Sequence, residues 1–535
     1  MVHYPEIVLK FYFLSFISII IISFIVLFPS FNLAFEDEDW RGVVLPKTDY
    51  ADIRTSTYTS PVWFMDTLYT FLGPDFLSYY ILSFIFRNLL AFTILVFIYT
   101  LTKDRLASFL GGLFFSVSFA GLQNTYEVMN MISYISMFVL TIFLITFFKI
   151  QEKFSYIYLL PMGIALLLAT SIASFRVFPV YAWAFIVDST RLLLHFEKNK
   201  VKPFLIRQTI VLVIFILLYK IGIFAWYSLG AVEGKISEVS RFASDATSFL
   251  VSWVSLEFKI ITNYLAGLGN IIFPSVIDRS GTISQIFGIA LIVSFVIISI
   301  YIVKKKSKDF HLLSSFILWT LLFFTLYFLI YTYNGHTESP PLPSTMRYLM
   351  PPFIGFVITM AVLVSLTKKT RFKKIIVSSM ILLILIHSIT TYFFLNELSN
   401  QRNGPFMTKI WRQIPQVVPE SSLSKEKMNV FYFETDGTAR AIYTVNDGFI
   451  PHTLAVYKID TKPSTFDTKE LIAFNSLLAP PIITYGELVS YVEKSLSEKE
   501  EPDIWGRIFA LKVEGEKVLD IKDDVKQRVE ASLNQ

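Results

Sequence analysis

The stretch FYFLSFISIIIISFIVLF, residues Phe11 to Phe28, decides the fold class of this chain. It contains no charged side chain, and its length approaches the roughly 20 apolar residues that a helix needs to cross about 30 Å of hydrocarbon. It is longer than the apolar region of a usual signal peptide, and no clear A-x-A cleavage site follows it. We therefore expect it to be an uncleaved first membrane span.

Ten further stretches of similar character follow along the 535-residue chain, which is 54% hydrophobic and only 17% charged. Soluble domains are about a quarter charged, so this composition favours a lipid environment. The predicted spans, including the first, are residues 10–30, 78–102, 106–122, 131–149, 155–173, 177–195, 209–230, 284–303, 310–333, 347–367 and 374–395. The expected fold class is a polytopic α-helical membrane protein with about 11 transmembrane helices.

Basic residues concentrate in alternate short loops and thereby predict the orientation of the spans. Lys and Arg are retained on the cytoplasmic side of a membrane. The basic loops contain Lys103 and Arg105; Lys149 and Lys153; Lys198, Lys200, Lys202 and Arg207; Lys304, Lys305, Lys306 and Lys308; and Lys368, Lys369, Arg371, Lys373 and Lys374. We expect a multi-pass protein of the cell membrane, prokaryotic because the chain has no Asn-x-Ser/Thr acceptor, with its N-terminus in the cytoplasm and the residues from Asn396 outside.

The predicted outer face carries most of the chain that does not span the membrane. External loops 31–77 and 231–283 contain apolar and charged residues at mixed spacing, which is typical of interfacial helices. Residues 1–395 are thus expected to form the membrane domain. Residues 396–535 contain two strand-like runs and a charged helical tail, and they predict a small extracytoplasmic α/β or α+β domain.

Four consecutive carboxylates, Glu36 to Asp39, follow the first span and precede Trp40. Crowded carboxylates repel one another, so one of them holds a proton more readily, which is the property of a general base. Asp39 shares a face with Asp37 in an extended segment and with Glu36 in a helix. The run is either a base or metal site at the membrane surface, with Trp40 as anchor, or a solvated acidic loop.

Three more charged residues are candidates for a functional role. Glu127 lies in the short external turn after the third span, where it is either solvated or part of a site. Arg347, beside Tyr348 at the start of the tenth span, is either an anion ligand or an arginine extending to the interface. Arg87 lies within the second span, where a charge is a functional candidate by default. Asp188 and Arg191 have the spacing of an ordinary helical ion pair.

Taken together, these motifs resemble those of the GT-C class of membrane glycosyltransferases, in particular the protein-mannosyltransferase and lipid-A-arabinosyltransferase type. The matching positions are Glu38-Asp39-Trp40, Glu127, Arg347-Tyr348 with Pro351, and the run Leu110 to Phe115. The chain departs from the pattern at Ser174 to Pro179, where relatives often have a Lys-Glu pair before the proline. That departure leaves Arg176 as a candidate phosphate ligand.

The resemblance implies an inverting glycosyltransferase that moves a sugar from a polyprenyl-phosphate donor to an acceptor hydroxyl on the outer face. Asp39, Asp37, Glu38 and Glu127 are then catalytic candidates, and Arg347, Tyr348, Arg176, Arg87 and Trp40 are substrate-binding candidates. Expected partners are the donor, membrane lipid, and a protein, lipid or glycan acceptor, without nucleic acid. The candidate cofactor is a divalent cation, Mg²⁺ or Mn²⁺, for which the acidic run offers ligands, and no individual metal ligands are assigned.

The sequence leaves three other functions open. A polysaccharide polymerase or ligase uses similar lipid-linked donors on the same face. A transporter or flippase of lipid-linked glycans usually has internal repeats and Gly/Pro-broken spans, and the sequence contains neither. An inactive membrane scaffold whose C-terminal domain binds a partner is the third alternative.

Overall fold

A computed structural model describes most of the chain, and it divides the polypeptide into two compact units. The first unit comprises Met1–Phe28 and Tyr79–Leu395, and the second comprises Pro29–Ser78 and Asn396–Gln535. The described residues are 3–35, 39, 64, 67–68, 70–73, 75–172, 174–194, 196–217, 258–278, 280–305, 308–333, 346–424, 428–449, 481–497 and 504–534.

The first unit is built from helices. The longer helices, in chain order, are α1 (His3–Leu27), α2 (Phe76–Thr102), α3 (Arg105–Val117), α4 (Ile132–Glu152), α5 (Leu159–Ile172), α6 (Pro179–Leu194), α7 (Lys198–Ile216), α8 (Phe258–Gly269), α9 (Thr282–Lys305), α10 (Lys308–Tyr333), α11 (Met346–Leu366) and α12 (Thr370–Gln401). Two four-residue helical turns, Gln123–Tyr126 and Ser174–Val177, follow α3 and α5 in the sequence. Seven described helices are long and apolar enough to cross a membrane, namely α1, α2, α4 and α9 to α12. The chain is a multi-pass membrane protein, and its total number of spans stays a prediction.

Several helix ends differ from the predicted span ends. Helix α3 stops at Val117, whereas the predicted span runs to residue 122. Helix α7 already begins at Lys198, so the basic residues expected in a loop occupy its first turns. Helix α12 continues to Gln401, past the predicted start of the external domain.

Small and aromatic residues pack the first unit. Gly112 of α3 faces α2 so closely that a Cβ on it would lie 3.0 Å from Leu95 Cβ and 3.1 Å from the Ala91 oxygen. Trp183 of α6 and Trp319 of α10 are buried, with ring centroids 5.0 Å apart. Helix α9, in contrast, has an exposed apolar surface, as is expected of a helix that faces lipid.

A buried polar network joins α4, α6 and α7 at the end of the unit where the basic loops lie. Arg207 donates two hydrogen bonds to Asp188, at 2.9 and 2.7 Å, in the bidentate geometry that suits a carboxylate. Arg191 instead donates to Gln151 Oε1 at 2.7 Å. The predicted Asp188–Arg191 ion pair is therefore replaced by a pair between two helices.

The second unit contains a small sheet flanked by helices. Its elements are α13 (Gly404–Val417), β1 (Val430–Thr435), α14 (Ala439–Asn446), α15 (Tyr485–Ser497), β2 (Ile508–Glu514), β3 (Lys517–Asp520) and α16 (Lys522–Leu533). Strands β1 and β2 pair in parallel, with Val430 opposite Ile508, and β3 is antiparallel to β2. The expected C-terminal strands are confirmed as a small three-stranded sheet, whereas a separate domain over residues 396–535 stays a prediction.

Residues just after the first span pack against the C-terminal residues of the same unit. Leu33 forms a β-bridge with Asn403, and the Ala34 amide donates to the Arg402 carbonyl at 2.8 Å. The hydroxyl of Tyr443, on α14, donates to the Phe35 carbonyl at 2.9 Å. The segment that leads into the acidic run is thus held by the C-terminal part of the chain.

Candidate functional site

The loop between α3 and α4 is buried within the helical unit. Helix α3 has 13 residues, which rise about 20 Å and so fall short of about 30 Å of hydrocarbon. Residues 118–131 are nevertheless all buried. This segment contains a four-residue helical turn, Gln123–Tyr126, and a 3₁₀ turn, Val128–Met131. Backbone groups between such turns are tolerated in a membrane protein where protein surrounds them. The loop therefore presents polar groups inside the helical unit and away from lipid.

Arg87 of α2 stabilises the start of this loop. Its Nε donates to the Ser116 carbonyl at 2.9 Å, and one terminal nitrogen donates to the Ser118 carbonyl at 2.5 Å. The other terminal nitrogen donates to Thr125 Oγ1 and to the Tyr134 hydroxyl, both at 2.9 Å. A cation at the C-terminal carbonyls of a helix balances the negative end of its dipole. Because its described contacts are with the protein's own oxygens, Arg87 has a positioning role in our interpretation.

His387 of α12 anchors the same loop from another side. Its Nδ1 accepts a hydrogen bond from the Phe119 amide at 3.0 Å, so the ring proton lies on Nε2. Nε2 then donates to the Ile272 carbonyl at 2.9 Å. A neutral imidazole therefore links the loop to the segment between α8 and α9.

Gly121 brings the loop into contact with α11. Its φ of +77° lies in the left-handed region that favours glycine. A Cβ at this position would also lie 2.5 Å from Met350 Cβ. Both the backbone conformation and the close approach require glycine, and together they place residues 122–127 beside the first turns of α11.

Two loop amides bind the backbone of Arg347 at the start of α11. Gln123 Oε1 accepts from the Arg347 amide at 3.1 Å, which satisfies an N–H that has no partner within the first helical turn. Pro351 has no N–H to donate to the Arg347 carbonyl four residues before it. Asn124 Nδ2 donates to that carbonyl at 3.4 Å instead. Because Pro351 cannot donate to it, the Arg347 carbonyl is contacted by a loop side chain instead.

Glu127 is buried, with 5% of its surface exposed, so it is not the solvated turn residue that the sequence left open. Gln123 Nε2 donates to its Oε1 at 2.5 Å, and Asn130 Nδ2 donates to its Oε2 at 2.6 Å. The Arg347 guanidinium lies 3.6 Å from Oε2. A carboxylate that accepts from several donors is fixed in orientation, and this one orients Arg347.

Arg176 and Arg347 approach the same aromatic ring, that of Tyr348. Their guanidinium carbons lie 5.8 and 5.1 Å from the Tyr348 centroid, within the range of cation–π contacts. The Tyr327 ring lies 5.7 Å from that of Tyr348, and the Tyr327 hydroxyl donates to the Arg176 carbonyl. Three separate segments of the chain therefore bring two cations together.

Neutral groups hold the guanidinium of Arg176. Its two terminal nitrogens donate to Asn124 Oδ1 at 2.8 Å and to Asn130 Oδ1 at 2.5 Å. Within the described part of the chain it forms no ion pair within 4.0 Å. Burial lowers the pKa of Arg176 from its ordinary value, Tyr348 raises it, and the charge of Arg347 lowers it again. The site therefore positions a positive charge without neutralising it directly, which is the arrangement of an anion site.

Asp39, the described residue of the acidic run, belongs to the second unit. Asp39 is fully buried there. Glu36, Asp37, Glu38 and Trp40 lie outside the described residues. Among the residues that the structure does describe, no group of three His, Asp or Glu side chains is arranged to hold a metal ion.

The structure adds residues to the site that sequence reasoning did not single out. Gln123, Asn130 and Tyr327 contact Glu127, Arg176 or both. One signal that could have found two of them is the density of amide side chains, Gln123, Asn124 and Asn130, between two apolar stretches.

Comparisons with known proteins give distant structural neighbours, two of which follow. No family model and no curated protein matches the chain. The oligosaccharyltransferase AglB from Archaeoglobus fulgidus, in complex with an inhibitory peptide and a dolichol-phosphate, has a TM-score of 0.41 and 10% identity over 94% of this chain and 69% of that chain. An Archaeoglobus fulgidus oligosaccharyltransferase in complex with Zn and sulfate has a TM-score of 0.41 and 12% identity over 93% and 67%. The assignment of function therefore rests on the residues of this chain.

Proposed function

We propose that the chain is a membrane glycosyltransferase that moves a sugar from a polyprenyl-phosphate donor to an acceptor hydroxyl on the outer face, with inversion. The observation that carries the proposal is the position of Arg176. Asparagine side chains hold its guanidinium beside that of Arg347, and only Arg347 has a carboxylate close to it among the described residues. An added phosphate would relieve the repulsion between the two cations.

The donor chemistry requires little more than this site offers. The bond between the anomeric carbon and the phosphate oxygen breaks, and its electron pair stays on the phosphate. Guanidinium groups stabilise the developing charge through paired N–H donors, and they gain most where water is excluded. Because phosphate is already a good leaving group, no general acid is needed.

The acceptor side requires a base. As the acceptor oxygen forms its bond to the anomeric carbon, its proton passes to a carboxylate. Asp39 in the first external loop is the candidate derived from the sequence, and single displacement inverts the anomeric centre. Glu127 is less suited to this task because two amides and a guanidinium already occupy its oxygens. We assign Glu127 the role of orienting Arg347.

The surroundings of the site support a lipid-linked donor. Apolar helices α10 and α11 provide Tyr327, Tyr348 and Arg347, so a phosphate bound there would have a hydrocarbon chain within reach of the bilayer. A protein, lipid or glycan can serve as acceptor. A divalent cation at the acidic run stays part of the proposal as an optional component.

The proposal is tested with purified protein in lipid nanodiscs. Polyprenyl-phosphate sugars with different head groups are supplied, and both donor binding and release of polyprenyl phosphate are measured with wild type and with Arg176→Gln. We expect one donor to turn over in wild type, and we expect Arg176→Gln to reduce its binding about tenfold or more, the cost of a charge-assisted contact.

Arg191→Gln is the matched control, because Arg191 is also held by an amide oxygen but lies in the network around Asp188. It should bind and turn over the donor like wild type. Equal donor binding by wild type and Arg176→Gln would overturn the assignment of the phosphate site. Movement of intact lipid-linked glycan across the bilayer without release of the lipid phosphate would favour a flippase instead.

A further inference from the structure

A cavity of about 750 Å³ lies in the second unit, separate from the site around Arg176. Three segments of that unit line it, with Phe31, Leu33, Phe76 and Leu77 as its apolar part and Thr408, Lys409, Arg412 and Gln413 of α13 as its polar part. The cavity is therefore lined by apolar residues on one part of its surface and by basic and polar residues on another.

Helix α13 turns its basic residues toward this cavity because its other face is buried. Met407, Ile410 and Trp411 pack into the second unit. Lys409 and Arg412 are three residues apart, so they lie on one face one turn apart. Both side chains are exposed.

The charges of the lining favour an anion. Arg412 forms no ion pair or hydrogen bond with any residue that the structure describes. Lys409 pairs with Glu516, but that pair is exposed on both sides and is therefore weak. Asp75, the carboxylate of the lining, accepts hydrogen bonds from the amide and hydroxyl of Ser78 and so caps the start of α2. The Asp75 carboxylate therefore interacts with the start of α2 rather than with Arg412 or Lys409.

Chain continuity places the lining at a membrane surface. Phe31 follows the end of α1, Phe76 begins α2, and Arg412 lies on the helix that directly follows α12. All three of these neighbouring helices are apolar and long enough to span a bilayer. The cavity is therefore lined by segments that enter or leave the membrane.

We propose that this cavity binds the head group of an anionic phospholipid. The phosphate contacts Arg412 and Lys409, and the upper part of the acyl chains lies against Leu77 and Phe76. Basic pockets beside membrane spans bind anionic head groups in this way. The bound lipid would link residues 29–33, residues 75–77 and α13, and so stabilise the second unit.

Titration calorimetry of the full chain in neutral detergent tests the proposal. The probes are short-chain phosphatidylglycerol, short-chain phosphatidylcholine and inorganic phosphate. Wild type should bind phosphatidylglycerol more tightly than either other probe, and Arg412→Gln should weaken that binding about tenfold. Lys526→Gln on α16 is the matched control and should leave it unchanged.

Two further variants test whether the lipid binds in this cavity. Arg176→Gln should bind phosphatidylglycerol like wild type, which distinguishes the cavity from the proposed donor site. Leu77→Ser, at a side chain that is 46% exposed, should weaken lipid binding without changing phosphate binding. Equal affinity of wild type for phosphatidylcholine and phosphatidylglycerol, equal affinity for phosphate, or unchanged binding by Arg412→Gln would each overturn the proposal.

Discussion

The guanidinium of Arg347 lies 3.6 Å from the carboxylate of Glu127, although one begins α11 and the other follows α3. The same loop binds Arg347 twice more, through Gln123 at its amide and Asn124 at its carbonyl. The orientation of Arg347 is therefore set by the loop as much as by its own helix. This dependence leads to two predictions with opposite signatures.

Glu127→Gln should lower turnover and strengthen the binding of lipid phosphate. The variant places an amide nitrogen near donors of Asn130 or Gln123, so Arg347 loses its fixed orientation while the site loses a negative charge. We expect turnover to fall about tenfold, within the range for a misplaced catalytic group. Polyprenyl phosphate should bind a fewfold more tightly. Steady-state kinetics and direct titration measure the two effects, and weaker phosphate binding would contradict this role.

Arg347→Lys should lose both binding and turnover. The variant keeps the charge but removes the planar fork that donates to two phosphate oxygens and stacks on Tyr348. We expect the donor affinity to fall at least about tenfold, since a charge-assisted hydrogen bond contributes about 1.5–3 kcal/mol. Arg371→Lys, on the exposed start of α12, is the control. If Arg347→Lys were as active as wild type, Arg347 would be no more than an interfacial arginine.

The sequence predicted the membrane segments better than their ends. Composition alone indicates a span when an apolar stretch is long enough, and seven such helices are found among the described residues. It does not reveal that α3 ends at Val117, because residues 118–122 are still largely apolar. The helix ends there because Ser118 is extended, with φ −65° and ψ 144°, and because Gly121 has a positive φ. These are features of tertiary packing.

The sequence did not show which distant residues come together in the site. Glu127, Arg176 and Arg347 were singled out as charges in apolar surroundings, but sequence spacing does not show that three segments bring them together. Local spacing likewise predicted an ion pair between Asp188 and Arg191. In the structure Asp188 instead forms a bidentate contact with Arg207, whose geometry suits a carboxylate better. Their roles in the reaction stay predictions.

Tyr443→Phe should reduce turnover while donor binding survives. Its hydroxyl holds the Phe35 carbonyl, four residues before Asp39. A net hydrogen bond contributes about 0.5–1.5 kcal/mol, so we expect turnover to fall about twofold to tenfold. Tyr485→Phe removes an exposed hydroxyl contact of the same unit with Ser532 and serves as control. Equal losses in both variants would indicate general destabilisation.

The predicted orientation is tested with single cysteines, because the chain contains none. Ser307→Cys lies among the basic residues predicted to form a loop, and Ser421→Cys lies after α13. A membrane-impermeant maleimide applied to intact cells should label Ser421→Cys and leave Ser307→Cys unlabelled until the membrane is opened. Labelling of Ser307→Cys in intact cells would reverse the orientation.

Asp39 is the proposed general base of the sugar transfer. Asp39 is fully buried, and in the acidic run it shares a face with another carboxylate whether the segment is extended or helical. Asp39→Asn keeps the size and hydrogen-bonding capacity of the side chain but removes the lone pair that accepts a proton. General base catalysis contributes about 10²–10⁴-fold in rate. We expect single-turnover sugar transfer to fall by that factor while the donor still binds.

Asp37→Asn separates a base from a metal site. If Asp39 acts as a base without metal, Asp37→Asn should lose little activity, and added Mg²⁺ or Mn²⁺ should change neither variant. If the run holds a divalent cation, both variants should fail, and a chelator should inactivate wild type. Wild-type single-turnover rates in Asp39→Asn would contradict the assignment of Asp39 as base, because the proton of the acceptor hydroxyl would then pass to another group. Glu127 would then be the next carboxylate to test, despite its occupied oxygens.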